Sequence, residues 1–231
     1  ENRMKLIIIT GDSHGLGKYL AEKLLVFPEY YVAGIARSHT NHLRMERQFL
    51  RQGDITEEED VVEFFRLIYD SIRPSESVLI NNASINISYW FGSCPNSLKW
   101  AGELIKTNIM GSLNMIHWYL KTGQETKKII QVSSMISDRP EIGKMVYAMT
   151  KSAQDMIVKG LVLELVNTPI YGIRPGTMEP MKRLYITDDF ANMPDRPKER
   201  TSYEAVYDEV QYLIEHGDRE MSGSIYDIPG H

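Results

Sequence analysis

Apolar strand-like runs alternate with helix-like segments along the chain, and this alternation restricts the fold more than any other feature. The first run, "LIIIT", is continuous and rich in β-branched residues, which is typical of a strand buried on both faces of a parallel sheet. Further runs of this kind are "YYVAGIA", "SVLINNA", "KKIIQVSS", "PIYGIRPG" and "GSIYDIPG". The segments between them carry apolar residues at helical spacing, most clearly "EEEDVVEFFRLIYDSI", "KWAGELIKTNIMGSLNMIHWYLK", "MVYAMTKSAQDMIVKGLVLELV" and "YEAVYDEVQYLIEH". Strands joined by such helices predict an α/β fold, a doubly wound parallel sheet with helices on both faces.

The composition is that of an ordinary globular chain. With 231 residues, 42% of them hydrophobic and 25% charged, it predicts a single domain over residues 1–231. A net charge of −5 argues against nucleic acid as a partner, and no apolar run approaches the ~18–20 residues of a membrane span. The N-terminal apolar run enters a glycine turn instead of a cleavage site, so we expect no signal peptide. The single cysteine, Cys94, excludes an internal disulfide and favours a cytoplasmic location.

A glycine-rich turn, "TGDSHGLG", joins the first strand to the first helix. A turn from strand into helix presents backbone N–H groups and the positive end of the helix dipole, which together attract phosphate. Gly11 permits a tight turn, Gly15 lets a diphosphate approach the backbone, and Gly17 allows the helix to pack against the strand. The turn therefore predicts a dinucleotide-binding loop of Rossmann type, with a purely structural turn as the alternative.

The end of the second strand, "GIARSHT", bears on which nicotinamide cofactor binds. An acidic residue there would accept hydrogen bonds from both ribose hydroxyls and repel a 2′-phosphate. The sequence has Ala36 at that place, followed by Arg37 and Ser38, and a guanidinium followed by a hydroxyl suits a phosphate dianion. We therefore favour NADP over NAD, against the alternative that Arg37 is a solvated surface residue.

The segment "YAMTK" places Tyr147 and Lys151 four residues apart, on one face of a predicted helix. An ammonium near a phenol stabilises the phenolate and lowers the pKa of tyrosine from about 10 toward working pH. Ser134 ends the strand "KKIIQVSS", where its hydroxyl is placed to hold a substrate carbonyl oxygen beside Tyr147. A Tyr-x-x-x-Lys pair is common by chance, so its meaning depends on sharing a site with the glycine loop.

Taken together, these residues resemble the short-chain dehydrogenase/reductase family in its single-domain form. The resemblance spans residues 4 to 231 and rests on elements that occur in the family's order: "TGDSHGLG", "GDI" with Asp54 and Ile55, "NNAS", Asn108 in "KTNIMG", the Ser134–Tyr147–Lys151 set, "RPG" and "MSGSIYDIPGH". It implies a catalytic tetrad of Asn108, Ser134, Tyr147 and Lys151, in which Asn108 holds a break in its helix and helps anchor a water that relays protons to Lys151. It implies cofactor contacts from Gly11, Ser13, His14, Gly15, Leu16, Gly17, Arg37, Ser38, Asp54, Ile55, Asn82, Ala83, Ser84, Tyr147, Lys151, Pro175, Gly176 and Thr177.

Several positions depart from the family pattern. Asp12 puts a carboxylate into the phosphate loop and has to point away from a diphosphate, while Ser84 replaces a glycine and Tyr171 an asparagine. Pro180 lies near the place of the usual threonine after Pro-Gly. We expect a short substrate lid at about 177–200, and we expect the pocket to be lined by apolar residues with two basic ones, namely Trp90, Phe91, Met135, Ile136, Pro140, Met178 and Met181 with Arg139 and Lys182.

The resemblance implies an NADP(H)-dependent oxidoreductase that reduces a carbonyl to a secondary alcohol, or runs in reverse, without a metal. Two alternatives stay open, an NAD-linked alcohol or polyol dehydrogenase and a non-catalytic NADP-binding regulatory protein. The implied partners are a small carbonyl or alcohol substrate and further copies of the chain, as a homodimer or homotetramer through helices at about 99–121 and 146–166.

Overall fold

The structure is a computed structural model that describes residues 4–39, 43–123, 126–178, 184–185 and 200–230. Its strands are β1 (Lys5–Thr10), β2 (Tyr30–Ala36), β3 (Leu43–Met45), β4 (Gln48–Gln52), β5 (Glu76–Asn81), β6 (Ile87–Ser88), β7 (Thr126–Val132), β8 (Ile170–Pro175), β9 (Leu184–Tyr185) and β10 (Ile225–Ile228). Its α-helices are α1 (Gly15–Leu24), α2 (Glu58–Ser71), α3 (Ser97–Ile105), α4 (Ser112–Leu120), α5 (Met145–Glu164) and α6 (Tyr203–His216).

The main sheet has the strand order β10-β8-β7-β5-β1-β2-β4-β3. The strands from β10 to β4 are parallel, and β3 pairs antiparallel with β4 at the edge. From β1 the chain first builds outward through β2 and β4, then returns to the other side of β1 and continues through β5, β7, β8 and β10. The predicted doubly wound parallel sheet is confirmed, and its switch point lies between β1 and β5, where ligands bind in such folds.

Two apolar layers cover the sheet, one on each face. Along β1, Ile7 and Ile9 pack into the layer beneath α1 and α6, whereas Leu6 and Ile8 pack into the layer beneath α2, α4 and α5. All four side chains are fully buried, because successive strand residues point to opposite faces and both faces are covered. The continuous apolar run that predicted this strand is thus explained by burial on both sides.

The predicted long helix at about 99–121 consists of α3, a π-helical segment Lys106–Gly111 and α4. The predicted break in this helix is present as that π segment, which contains Asn108. Among the residues described, no helix has both the length and the apolar character needed to cross a bilayer.

Strands β3, β4, β6 and β9 were missed in the sequence. In β4, "QFLRQ", only Phe49 is buried, because this strand lies near the sheet edge and its polar residues face outward. Its apolar content is too low to give the pattern that identified the central strands. Strands β6 and β9 form a separate pair of two residues each, which is too short to leave any periodic signal.

Candidate active site

The glycine loop lies at the switch point, between the carboxyl end of β1 and the start of α1. Gly11 and Gly15 have φ angles of 71° and 58°, in the left-handed region that favours glycine. A Cβ on Gly17 would lie 2.3 Å from the Gly11 carbonyl oxygen, so the close packing of helix on loop requires glycine here. Helix α1 begins at Gly15 with no acidic residue in its first turn, which leaves its positive end available to an anion.

Asp12 points away from the cleft, as the sequence analysis required. Its side chain is 1% exposed, and Oδ1 accepts a hydrogen bond from His39 Nε2 at 2.9 Å. The other oxygen, Oδ2, lies against β2 at Gly34, where a Cβ would come within 1.8 Å of it. Burial raises the pKa of this carboxyl, and the hydrogen bond and charge of His39 oppose that rise. Gly34 and His39 therefore accommodate the carboxylate below the loop.

A polar cluster stands at the carboxyl end of β2. The Ser13 and Ser38 hydroxyl oxygens are 2.6 Å apart, and Ser13 Oγ lies 3.0 Å from His14 Nδ1. The Arg37 guanidinium is 60% exposed and lies 3.8 Å from Asp54 Oδ2. Two hydroxyls and an accessible guanidinium at one strand end form a set of donors that fits a phosphate group.

Thr10 ties the two sides of the switch point together, a role that sequence reasoning missed. Its hydroxyl accepts hydrogen bonds from the backbone N–H groups of Asn82 and Ala83, at 2.9 and 2.8 Å. Asn82 Nδ2 in turn donates to the Thr10 carbonyl at 3.0 Å. These bonds fix the "NNAS" segment beside the glycine loop, and Ser84 is exposed there, which explains why its side chain is tolerated.

Tyr147 and Lys151 lie one turn apart on α5, with Lys151 Nζ 5.7 Å from the centroid of the Tyr147 ring. Lys151 is 2% exposed, and burial lowers the pKa of its ammonium from 10.5 to about 7, while Asp155 opposes that fall. The Nζ atom donates to the Val132 carbonyl at 3.3 Å and to Gln154 Oε1 at 2.9 Å. An amine whose pKa lies near 7 and that stands next to a phenol is suited to acid–base chemistry.

Ser134 follows β7 and caps the short 3₁₀ turn Met135–Ser137. Its Oγ accepts from the Ile136 N–H at 3.4 Å and lies 3.4 Å from the Pro175 carbonyl, so the turn fixes its position. Asn108 is fully buried in the π segment. Its side-chain amide bonds both backbone groups of Ile85, at 2.8 and 3.0 Å, and donates to Thr150 Oγ1 at 3.0 Å.

A buried ionic group next to Lys151 was also missed in the sequence. The Asp155 carboxylate accepts hydrogen bonds from Ser133 Oγ and from the Arg174 guanidinium, the latter at 2.9 Å. Asp155 follows Lys151 by one helical turn, a spacing that in the sequence is typical of an ion pair on the exposed surface of a helix. Only the packing of α5 on β8 shows that both are inside.

The glycine loop and α5 line the same cleft, with a volume of about 930 Å³. The predicted residues in its wall are Gly11, Ser13, His14, Gly15, Leu16, Gly17, Arg37, Ser38, Asp54, Ile55, Asn82, Ala83, Ser84, Tyr147 and Lys151. The predicted residues that lie outside this wall are Asn108, Ser134, Pro175, Gly176 and Thr177. A cleft lined by both a phosphate-type loop and a Tyr–Lys pair fits an extended dinucleotide.

The predicted substrate pocket differs from the observed wall. Met178 lines the cleft, but Trp90, Phe91, Met135, Ile136, Arg139 and Pro140 do not. Apolar wall is contributed instead by Ile85, Ile87 and Trp100, with Lys99 and Glu103 beside them. Most of the predicted lid at about 177–200 lies outside the described residues, including Pro180, Met181 and Lys182.

Tyr171 is buried in β8 and donates to the Asp218 carbonyl at 2.7 Å, so it acts in packing.

The fold and the cleft are those of a dinucleotide-binding protein, and comparison with known proteins identifies the family. Residues 5–187 match the short chain dehydrogenase family, and the chain belongs to it. Its members are oxidoreductases acting on CH–OH and C=O groups, and so is this protein.

Three similar proteins extend this assignment along the chain. An uncharacterized oxidoreductase, YgfF, of Escherichia coli K12 is 26% identical over 254 residues, covering 98% of this chain and 99% of that protein. Serine 3-dehydrogenase of Rhizobium radiobacter is 31% identical over 183 residues, covering 75% and 70%. The crystal structure of a 3-ketoacyl-ACP reductase from Sinorhizobium meliloti 1021 superposes with a TM-score of 0.80 at 21% identity, covering 96% of each chain, and shows the shared fold.

Proposed function

We propose that this protein is an NADP(H)-dependent oxidoreductase that reduces a carbonyl to a secondary alcohol, or oxidises the alcohol, with Tyr147 as general acid and base. The observation that carries the proposal is the placement of Tyr147 and buried Lys151 in the wall of the cleft that also contains the glycine loop. A surface Tyr–Lys pair formed by chance would share neither that burial nor that cleft.

The cofactor, when bound, supplies hydride to the carbonyl carbon or accepts it from the alcohol. Tyr147 donates its phenolic proton to the carbonyl oxygen as charge develops there. The Lys151 ammonium stabilises the resulting phenolate, since an opposite charge within a few ångströms favours the ionised form. Ser134 follows the wall residue Ser133 and is held by its turn, and we assign it a hydrogen bond to the same oxygen. Asn108 fixes the neighbouring segment through Ile85.

The preference for NADP is supported by the polar cluster after β2. Ala36 provides no carboxylate to bind the ribose hydroxyls, whereas Arg37, Ser38 and Ser13 offer three donors to a 2′-phosphate. We assign the adenine contacts to Asp54 and Ile55, which line the same wall. Titration of the protein with NADPH and NADH by fluorescence tests this choice, and tighter binding of NADH would favour the NAD-linked alternative.

The substrate is proposed to be a small molecule with its oxygen at carbon 3 of an acid or acyl group. Two of the similar proteins bear names that specify this position, a serine 3-dehydrogenase and a 3-ketoacyl-ACP reductase. Lys99 in the cleft wall offers a cation for a carboxylate or phosphate.

The lid at about 177–200 and the contacts of Pro175, Gly176 and Thr177 with the nicotinamide remain part of this proposal.

We further propose a cytoplasmic homodimer or homotetramer assembled through α3–α4 and α5. Large apolar side chains are exposed on these helices, with Met110 at 55%, Met156 at 63% and Leu163 at 84%. Light scattering after size exclusion gives the mass directly, and a monomer at micromolar concentration would contradict the assembly.

The activity is tested by following NADPH absorbance at 340 nm with a panel of ketones that includes 3-oxoacyl esters. We expect turnover by the wild type and its loss in Tyr147→Phe, with NADPH affinity unchanged because the variant removes only the hydroxyl and keeps the aromatic ring. Tyr203→Phe, another tyrosine of the cleft wall, is the matched control and should keep turnover. Equal activity of Tyr147→Phe and wild type would refute the mechanism, and tight NADPH binding without turnover by the wild type would favour a regulatory protein.

A further inference from the structure

Gln154 joins Lys151 to the π segment through a single buried side chain. It lies on α5 next to Asp155 and is fully buried. Its Nε2 donates to the Asn108 carbonyl at 2.7 Å and to Ser112 Oγ at 3.2 Å. Its Oε1 accepts from Lys151 Nζ at 2.9 Å. Both ends of the amide are thus bonded inside the protein.

The hydrogen-bond partners of Gln154 determine the orientation of its side-chain amide. Since the carbonyl of Asn108 can only accept, the Nε2 end has to point toward it, and Oε1 is left to face the ammonium. The Asn108 carbonyl also accepts from Ser112 Oγ at 2.9 Å, so both of its lone-pair directions are used by side chains. The link between Lys151 and Asn108 that the family resemblance assigns to a relay water is made here by Gln154.

We infer that Gln154 is a positioning residue of this active site, which fixes the Lys151 ammonium beside Tyr147 and ties it to the Asn108 carbonyl. The bond from the ammonium to Oε1 favours the charged form of Lys151, which is the form that stabilises the Tyr147 phenolate. The inference rests on the proposed function and concerns the protonation of Lys151 in that same site.

The effect of a substitution at Gln154 on the pKa of Lys151 depends on the other charged and titratable groups around that ammonium. From α5 these are Tyr147 and Asp155, and Arg174 of β8 pairs with that aspartate. From β7 comes the Val132 carbonyl, and from the π segment and α4 come the Asn108 carbonyl and the Ser112 hydroxyl that Gln154 contacts. Gln154 thus supplies one of the few hydrogen-bond acceptors of the ammonium, and removing it disfavours the charged form.

The test is to titrate Lys151 by NMR of lysine side chains in the full chain, with Lys151→Met to assign its signal. We expect Gln154→Leu to lower the pKa of Lys151 and Gln154→Glu, which adds a carboxylate at the same place, to raise it. Lys127, whose ammonium bonds the Leu120 carbonyl far from this site, is the internal control and should titrate identically in all variants. A Lys151 titration that is the same in wild type, Gln154→Leu and Gln154→Glu would overturn the inference.

Turnover gives a second readout. We expect Gln154→Leu to lower kcat about tenfold or more with little change in KM, the scale of one lost hydrogen bond to a charged group. Gln154→Ala, which leaves room for water, should lose less than Gln154→Leu. A Gln154→Ala variant slower than Gln154→Leu would contradict the positioning argument. If the wild type reduces no carbonyl, the proposed function fails, and the NMR titration still decides the role of Gln154.

Discussion

Replacing Lys151 by methionine should make the stability of the protein less dependent on pH. Methionine fills a similar volume without a charge, and Lys151 is 2% exposed, so the variant removes a buried ammonium rather than a surface group. It also leaves Gln154 Oε1 without its donor, which costs about 1–3 kcal/mol at every pH. The pH dependence therefore isolates the charge, because that cost is constant.

The magnitude follows from the pKa of Lys151, which burial lowers from 10.5 to about 7. At about 1.4 kcal/mol per pH unit, charging this group costs about 5 kcal/mol more in the folded protein than in the unfolded chain. The unfolded chain holds the proton between pH 7 and 10.5 while the folded protein releases it, so stability falls as pH drops through this window. From pH 9 to pH 7 the wild type should lose about 2 kcal/mol relative to Lys151→Met.

Urea denaturation of both proteins without cofactor at pH 7, 8 and 9 measures this difference. Other titrating groups are shared and cancel when the two free energies of unfolding are subtracted. Lys159→Met, at an exposed position on the same helix, is the matched control and should run parallel to the wild type. If Lys151→Met also runs parallel to the wild type, Lys151 keeps an ordinary ammonium, and the acid–base argument built on its burial is wrong.

Three further substitutions, one of them also combined with Asp12→Ala, test the glycine loop and the residues around it. Arg37→Ala should weaken NADPH by about 1–3 kcal/mol and NADH far less, measured by fluorescence titration, and equal losses would contradict the choice of NADP. Gly34→Ala should destabilise the fold by about 1–3 kcal/mol in urea, because its Cβ would lie 1.8 Å from Asp12 Oδ2. The double variant with Asp12→Ala should recover most of that loss, and strict additivity would refute the contact. Gly17→Ala should abolish dinucleotide binding in calorimetry, because its Cβ would overlap the Gly11 carbonyl, and unchanged affinity would contradict the loop geometry.

Much of the fold could be predicted because its signals are local. The central strands are buried on both faces, so their apolar runs are continuous, and the helices between them are long enough to show a clear period. Gly11 was predicted to form a tight turn and has a positive φ, and so does Gly15, which was predicted only to let a diphosphate approach the backbone. Strand β4 was missed because its burial is partial, and burial depends on neighbours that the local sequence does not name.

The candidate site was predicted less completely, for the same reason. The Tyr147–Lys151 spacing and the glycine loop are contiguous motifs, and the structure brings them into one cleft. The contacts of Asp12 with His39 and of Gln154 with the Asn108 carbonyl join elements that are distant in the chain. Each of these residues looks ordinary on its own helix or loop, so only the tertiary arrangement shows its role. Trp90 and Phe91 were predicted to line the substrate pocket and do not line this cleft, whereas Met178 does, because strand ends do not fix where loop side chains point.

The central claim is that this cleft transfers hydride between a nicotinamide and a carbonyl carbon. NADPH deuterated at C4, prepared as both epimers, tests it directly with a 3-oxoacyl ester and mass analysis of the product alcohol. We expect deuterium from one epimer on the carbinol carbon, and no labelled alcohol from Tyr147→Phe. An unlabelled alcohol with both epimers, or a product labelled equally by wild type and Tyr147→Phe, would contradict the account.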